Sequence, residues 1–417
     1  MVSGAHELDL AGPLAELGGL EADRVQAVMR QVLLAETARL RDWHAEPLPY
    51  LSVLPGRTLA RVAGSAIDAN NRAIPWSCIV KIIRTPGLAR ERENDSGSRE
   101  IQAYRSSLLA DLPGPLRAPR VLAINEDGNS RTWLWLEELH DVYGRRWPFE
   151  QFAVAARHLG VFNGAYLVSR RLPTAAWLNR WLQYRWAEDH AELGRIPNYE
   201  AFLQQLTQEP GVQRRFDQTL GPRVLRLLHE QAQFVHILSL LPQTLCHHDA
   251  ALANLFAQGR ADGDLETVAV DWEKIGSGTL GAEIATLVFG TLRRCEFDAE
   301  RASELDEVVF EGYVAGLREA GWRGAPELAR LGYVSAVALR WTVLVGTLRS
   351  LLEGAEPVRT SHGLLVPSEQ VVEQRVRLSQ FLLDRADEAY QLAETLSVAN
   401  TFRDANASAN LNERSSA

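Results

Sequence analysis

Between positions 20 and 43, apolar residues recur at three- and four-residue steps. Val25, Val28, Val32 and Ala35 fall on one face, which predicts an amphipathic helix stopped by Pro47 and Pro49. The pattern then changes to β-type runs. Residues 57–67 (RTLARVAGSAI) and 74–83 (IPWSCIVKII) read as two strands around the turn 68–73 (DANNRA), where Asp and Asn take turn geometry cheaply. A charged, Gly- and Ser-rich loop at 86–98 leads into a helix at 99–112. A second hairpin follows, with VLAIN (121–125) and TWLWLEEL (132–139) flanking EDGNS. The first 46 residues thus read as a helical extension, and 47–139 as a small β-rich lobe.

Beyond Pro148 the pattern is helical. Helices are expected at 149–167, 222–241, 281–293, 302–320, 327–352 and 371–396; Pro222 lies in the first turn of the second, and Pro242 ends it. One hairpin interrupts them, with 254–257 and 266–272 around QGRADGDL. Residues 140–396 therefore read as a helical lobe, and the polar stretch 397–417 as a disordered tail. Residues 334–348 are the most apolar long run. Arg340 interrupts them, so they read as a buried helix and not a membrane span.

Length supports this division, because 417 residues exceed what one core organises. Apolar residues at 46% and charged residues at 23% are ordinary for a soluble globular chain. A net charge of -9 argues against a nucleic-acid partner and is mildly compatible with a cationic substrate. Cys78, Cys246 and Cys295 are odd in number and far apart, which predicts neither disulfides nor zinc and fits a reducing cytoplasm. The opening MVSGAHELDLAGPL lacks a basic start followed by an apolar run, so no secretory leader is expected.

The segment richest in chemistry is HHDAALANLF (247–256). It holds H-x-D-x-x-x-x-N as His247, Asp249 and Asn254, and VAVDWE follows with Asp271 at a strand end. Phosphoryl transfer needs a carboxylate beside the attacking hydroxyl and oxygen ligands for magnesium on the triphosphate. A loop carrying Asp249 and Asn254, with a hairpin returning Asp271, supplies those groups. Alone, the string is weak; its order with other residues strengthens it. Lys81 stands inside the apolar strand CIVKII, where a lysine pairs, binds an anion or faces solvent from an edge strand. Glu100 on the next helix is a candidate partner for Lys81, against the plain alternative of a solvated surface residue.

In this order the motifs resemble the aminoglycoside phosphotransferase and choline kinase-like family, over roughly residues 50–350. The resemblance implies a bilobal, protein-kinase-like α+β fold with a small antiparallel-sheet lobe and a larger helical one, and ATP and Mg2+ as cofactors between them. It implies that Lys81 holds the α- and β-phosphates, that Glu100 orients Lys81, and that Glu138 and Leu139 form the adenine-facing hinge. Asp249 would be the catalytic base or hydroxyl positioner, Asn254 and Asp271 the metal ligands, and His247 a structural prop. In the run 276–287, where the family commonly has Asp before Leu-Ala, Glu283-Ile284-Ala285 keeps a carboxylate for bracing the loop. The chain departs from the pattern ahead of Lys81, where no G-x-G-x-x-G occurs and Gly56 and Gly64 are the candidates for close backbone approach. His248 is expected to be a hydrogen-bonded loop residue.

Other clusters carry plainer readings. Trp177, Trp181 and Trp186, with Glu188 and Asp189, read first as packing and second as an aromatic, acidic wall for a cationic acceptor. His229 and His236 share a helix but read as surface. The function expected is transfer of the γ-phosphoryl group to a hydroxyl of an aminoglycoside, sugar or amino alcohol. The rivals are a catalytically weak nucleotide-binding protein on the same fold and a metal-dependent hydrolase, which lacks ligands in number.

Overall fold

Trp76, Cys78, Val80 and Ile82 alternate along one strand, and all are buried on one face of a sheet. In the computed structural model this strand is β3 (Ala73–Arg84), flanked by β2 (Arg57–Ile67) and β6 (Arg131–Glu137). With β1 (Arg39–Pro47) and β5 (Val121–Asp127) they form a five-stranded antiparallel sheet of order β1-β2-β3-β6-β5. The structure describes residues 20–48, 57–84, 96–127, 131–180, 198–260 and 263–396. It is an α+β protein of two units. The first holds the described residues up to Leu112, Arg117–Asp141 and Val268–Glu273; the second holds the rest.

In the first unit, helix α1 (Ala22–Leu33) covers one face of the sheet. Val25, Val28 and Met29 pack with Val62, Cys78, Val80, Trp133 and Trp135, while Val32 and Ala35 lie at the margin. The helix is shorter than its spacing predicts. It ends at Leu34, which takes a left-handed conformation at φ 51°, and the chain turns into β1. A bulge between Leu40 and Asp42 sets Leu40 and Trp43 three residues apart, a spacing that imitates a helix and hid the strand from the sequence pattern. Gly64 is explained by the same region: a Cβ there would lie 2.1 Å from the Asp42 carbonyl oxygen, so its glycine serves strand packing. Gly56 lies outside the described residues. The turn between β2 and β3 forms as expected, with Asp68 Oδ1 accepting from the amides of Asn70 at 2.9 Å and Arg72 at 2.7 Å. Helix α2 spans Ser96–Arg105, ending earlier than the expected residue 112.

The second unit is mostly helical. α3 (Phe149–Val168) lies against α9 (Ala302–Glu319), and glycines allow the close approach. A Cβ on Gly160 would lie 2.2 Å from the Tyr313 carbonyl oxygen, and one on Gly316 would lie 2.0 Å from that of Arg157. Between these helices in sequence come α4 (Tyr199–Gln208), the single turn α5 (Pro210–Gln213) and α6 (Leu220–Leu240). The helix expected at 281–293 is broken into α7 (Ala282–Ala285), a π-turn (Thr286–Gly290) and α8 (Thr291–Arg293). The run 327–352 is two helices, α10 (Pro326–Ala338) and α11 (Thr342–Glu353), bent by 44° at the residues around Arg340. No single helix among the described residues is long and apolar enough to cross a membrane. α12 (Ser368–Thr395) closes the unit, and Glu388 on it pairs with Arg330 at 2.5 Å, which also binds Asp306 at 2.8 Å.

Small strands flank the segments that carry the candidate site residues. β7 (Gln243–Cys246) pairs with β10 (Gly276–Thr279), and β8 (Leu255–Gly259) forms a hairpin with β9 (Leu265–Ala269), beside the two-residue β4 (Leu116–Arg117). The tail at 397–417 and the aromatic stretch beyond Arg180, with Trp181, Trp186, Glu188 and Asp189, lie outside the described residues.

Candidate active site

Lys81 does not sit on an edge. β3 is the central strand, and Lys81, paired in register with Leu59 and Leu134, points away from the α1-covered face. Its ammonium meets Glu100 Oε2 at 2.5 Å and Asp271 Oδ1 at 2.6 Å, all three side chains being largely buried. Burial alone would push the lysine down. The charges and hydrogen bonds of Asp271 and Glu100 outweigh it and hold the pKa above the ordinary 10.5. The first unit therefore brings together three of the residues chosen from sequence, although 190 positions separate Lys81 from Asp271.

Backbone geometry fixes this triad. β9 ends at Ala269, and Asp271 takes φ 65°, a left-handed conformation that Asp tolerates better than most side chains. Trp272 is fully buried and donates its indole N–H to the Ala269 carbonyl at 2.6 Å, locking the turn. Arg99, adjacent to Glu100 on α2, donates to the Glu273 carbonyl at 2.7 Å. Sequence reasoning missed Arg99, which looks like one more surface arginine in a charged helix. Glu138 and Leu139 follow the end of β6, and the Glu138 carboxylate accepts from Arg61 at 2.7 Å. Burial raises its pKa, but the bonds from Arg61 and Ser77 prevail and lower it.

The second unit holds the loop 247–254. His247 is fully buried, and its Nδ1 accepts from the Asp249 amide at 3.1 Å. Asn254 is buried and donates Nδ2–H to the Asp249 carbonyl at 2.9 Å, which turns its amide oxygen the other way. Both side chains thus hold the main chain of Asp249. His248 adopts φ 66°, and its Nε2 lies 3.0 Å from the Ser277 carbonyl oxygen on β10. Burial lowers its pKa to about 4, so the ring is neutral and donates Nε2–H. The Asp249 Oδ2 accepts from Lys274 Nζ at 2.9 Å. Lys274 was not singled out from sequence; the signal was its place three residues after Asp271 in DWEK.

Glu283, on α7, clamps the loop. Its carboxylate accepts from the amides of His247 at 2.6 Å and His248 at 3.0 Å. Under it lies a buried network in which Tyr313 donates to Asn163 Oδ1 at 2.8 Å and Asn163 donates to the Leu245 carbonyl at 2.8 Å. Burial raises Glu283 from 4.5 to about 7, against the lowering effect of the two amides. Between those values the native state keeps a proton that the unfolded chain has released. The stability due to this group is therefore present below pH 4.5 and is lost as the pH rises to about 7. The loss amounts to roughly 3 kcal/mol at about 1.4 kcal/mol per pH unit. Accordingly, the stability advantage of wild type over Glu283→Gln in urea unfolding should shrink by about that amount between pH 4.5 and 7. An advantage independent of pH would refute the assignment.

Asn254 and Asp271 offer an amide oxygen and a carboxylate, the hard donors that magnesium accepts. Among the described residues, no three His, Cys, Asp or Glu side chains are grouped to hold a metal ion. His229 pairs with Glu200 at 3.0 Å on the exposed surface, and His236 is exposed too.

No protein-family model matches the chain. No curated protein sequence matches it either. Its structure is similar to solved structures of small-molecule phosphotransferases. An amicoumacin kinase is 14% identical, with 81% of this chain and 88% of that one covered and a TM-score of 0.45. An aminoglycoside phosphotransferase from Streptomyces rimosus is 18% identical, with 79% and 98% covered and a TM-score of 0.42. A choline kinase from Cryptosporidium parvum is 11% identical, with 91% and 98% covered and a TM-score of 0.47.

Proposed function

We propose that the chain is an ATP- and magnesium-dependent phosphotransferase that moves the γ-phosphoryl group to a hydroxyl of a small molecule. The observation that carries this reading is the buried Lys81–Glu100–Asp271 triad. A central-strand lysine held by two carboxylates is a preorganised cation for phosphate oxygens. Glu100 keeps the lysine extended, and Asp271 stands ready to exchange the ammonium for a metal ion. Asn254 and Asp271 would hold magnesium, which when bound neutralises charge on the phosphates. The backbone after Glu137, at Glu138 and Leu139, would meet the adenine.

Asp249 receives the acceptor. Its carboxylate accepts the hydrogen bond of the attacking hydroxyl and takes the proton as the bond from oxygen to the γ-phosphorus forms. The bond from that phosphorus to the bridging oxygen of ADP breaks in the same displacement. His247, Asn254 and Glu283 hold the Asp249 main chain by hydrogen bonds. The resemblance names aminoglycosides, sugars and amino alcohols as acceptor classes, and the buried thiols of Cys78 and Cys246 suit a reducing cytoplasm.

Purified protein should bind ATP only weakly without magnesium, and with it should consume ATP when a suitable hydroxyl compound is present. The missing glycine-rich motif ahead of Lys81 favours one other reading, a nucleotide-binding protein that transfers nothing. Magnesium-dependent ATP binding with no consumption across hydroxylated acceptors of every charge class would select it.

A further inference from the structure

The surroundings of Asp249 in the second unit are cationic. Lys274 pairs with it directly at 2.9 Å. Two arginines belong to segments that are hydrogen-bonded to the same loop through threonine side chains. Arg340, at the break between α10 and α11, donates Nη2–H to Thr286 Oγ1 at 3.0 Å, and the Thr286 hydroxyl lies 3.5 Å from the His248 carbonyl oxygen. Arg293 ends α8, whose Thr291 Oγ1 accepts from the Leu252 amide at 3.1 Å. The π-turn that joins α7 to α8 lets Gly290 lie over Ala251, where an added Cβ would come within 3.2 Å of the Ala251 Cβ. This turn and the helix break are the irregular features that bring Thr286, Thr291 and the Arg340 guanidinium to the loop.

The arginines also feel one another. Arg340 is lowered to about 10 by burial and then by Arg293, with Asp249 acting the other way. Arg293, although part of its surface meets solvent, is lowered first by burial and then by Arg294 and Arg375, again opposed by Asp249. The carboxylate that both arginines feel is the one already engaged by Lys274. Holding three cations around one carboxylate costs folding free energy, and an arriving anion removes that cost.

We propose that the acceptor received at Asp249 is an anion, a hydroxyl compound bearing a carboxylate or phosphate group that Arg293 and Arg340 bind while Lys274 adds to the local positive charge. This rests on the phosphotransferase reading and narrows it. A polycationic aminoglycoside or a quaternary amino alcohol would meet like charge here. Guanidinium groups suit either oxyanion, since both accept paired N–H donors.

The test offers Mg-ATP with glycerate and glycerol 3-phosphate as anions, glycerol as the neutral acceptor, and choline and kanamycin as cations. An anion should be preferred in kcat/KM by at least about tenfold, the size of one charge-assisted hydrogen bond. Arg293→Ala, at a solvent-reached helix end, should raise the KM for that anion by a similar factor and leave the KM for ATP unchanged. Preference for a neutral or cationic acceptor, or an effect of Arg293→Ala on ATP in place of the acceptor, would overturn the inference while transfer itself upholds the enzyme. Equilibrium dialysis with labelled glycerate and glycerol 3-phosphate, without nucleotide, covers the case of no turnover. Saturable binding lost in Arg293→Ala and in Arg340→Gln, both checked for folding by circular dichroism, supports the anion site; no binding of either probe refutes it. Anion binding in a protein that never binds ATP would leave this site standing and the phosphotransferase reading fallen.

Discussion

Asp249→Asn is expected to lower the rate of phosphoryl transfer about 10²- to 10⁴-fold, the usual contribution of a positioned general base. The substitution preserves volume and removes the proton acceptor. His247 and Asn254 grip the main chain of residue 249, so the loop should keep its course. Lys274 loses its ion partner, which water can partly replace because about a third of its side chain is exposed, but Arg293 and Arg340 also lose the carboxylate that opposes their mutual repulsion, so the variant should also be less stable than wild type. The signature is a split between parameters: single-turnover rate falls, while the dissociation constant for Mg-ATP stays within about twofold. A transfer rate within about tenfold of wild type would remove Asp249 from the role of base.

How far the sequence spoke for this site depends on the kind of contact. Lys81, Glu100 and Asp271 are each unremarkable alone, and a pairing across 190 positions has no local trace. Their order along the chain carried the expectation. The Glu283 clamp was legible only through the family resemblance, because Glu283 stands where that family has a carboxylate just before Leu-Ala, and its carboxylate accepts from the amides of His247 and His248. Arg99 and Lys274 were not legible. A helix arginine that reaches a main-chain carbonyl, and a lysine folded back onto a carboxylate 25 positions earlier, look like ordinary surface charges until the chain is folded.

The fold divided similarly. Regular alternation made β3 legible, because one buried face dictates the period, and α3 was legible as a helix although every residue from His158 to Tyr166 is buried. Irregularities escaped. The bulge in β1 disguised a strand as a helix, the π-turn after Ala285 looked like continuous helix, and the break near Arg340 vanished inside an apolar run. Two of these three irregular features now border the candidate site. The left-handed residues His248 and Asp271 belong with them: each is a non-glycine held at positive φ beside a proposed functional group, where surrounding bonds fix a conformation that the chain alone disfavours.

Lys81→Met separates structure from function at the triad. Glu100 is 1% exposed, and without the ammonium its carboxylate would be buried beside Asp271 as a second negative charge. Breaking one partner out of a buried ion pair costs about 3–5 kcal/mol, so the variant should unfold at markedly lower urea concentration. Glu100→Gln removes the charge that Lys81→Met strands. The double variant should therefore be more stable than Lys81→Met alone, with a coupling of about 1–3 kcal/mol across the four-protein cycle. ATP affinity should behave differently: it should fall in Lys81→Met and remain low in the double variant, since restoring electrical balance does not restore the cation that meets phosphate. Additive stabilities would mean that Lys81 and Glu100 do not interact as the coordinates place them. Recovery of ATP binding in the double variant would mean that Lys81 only supports the fold, and the proposed phosphate contact would be lost with it.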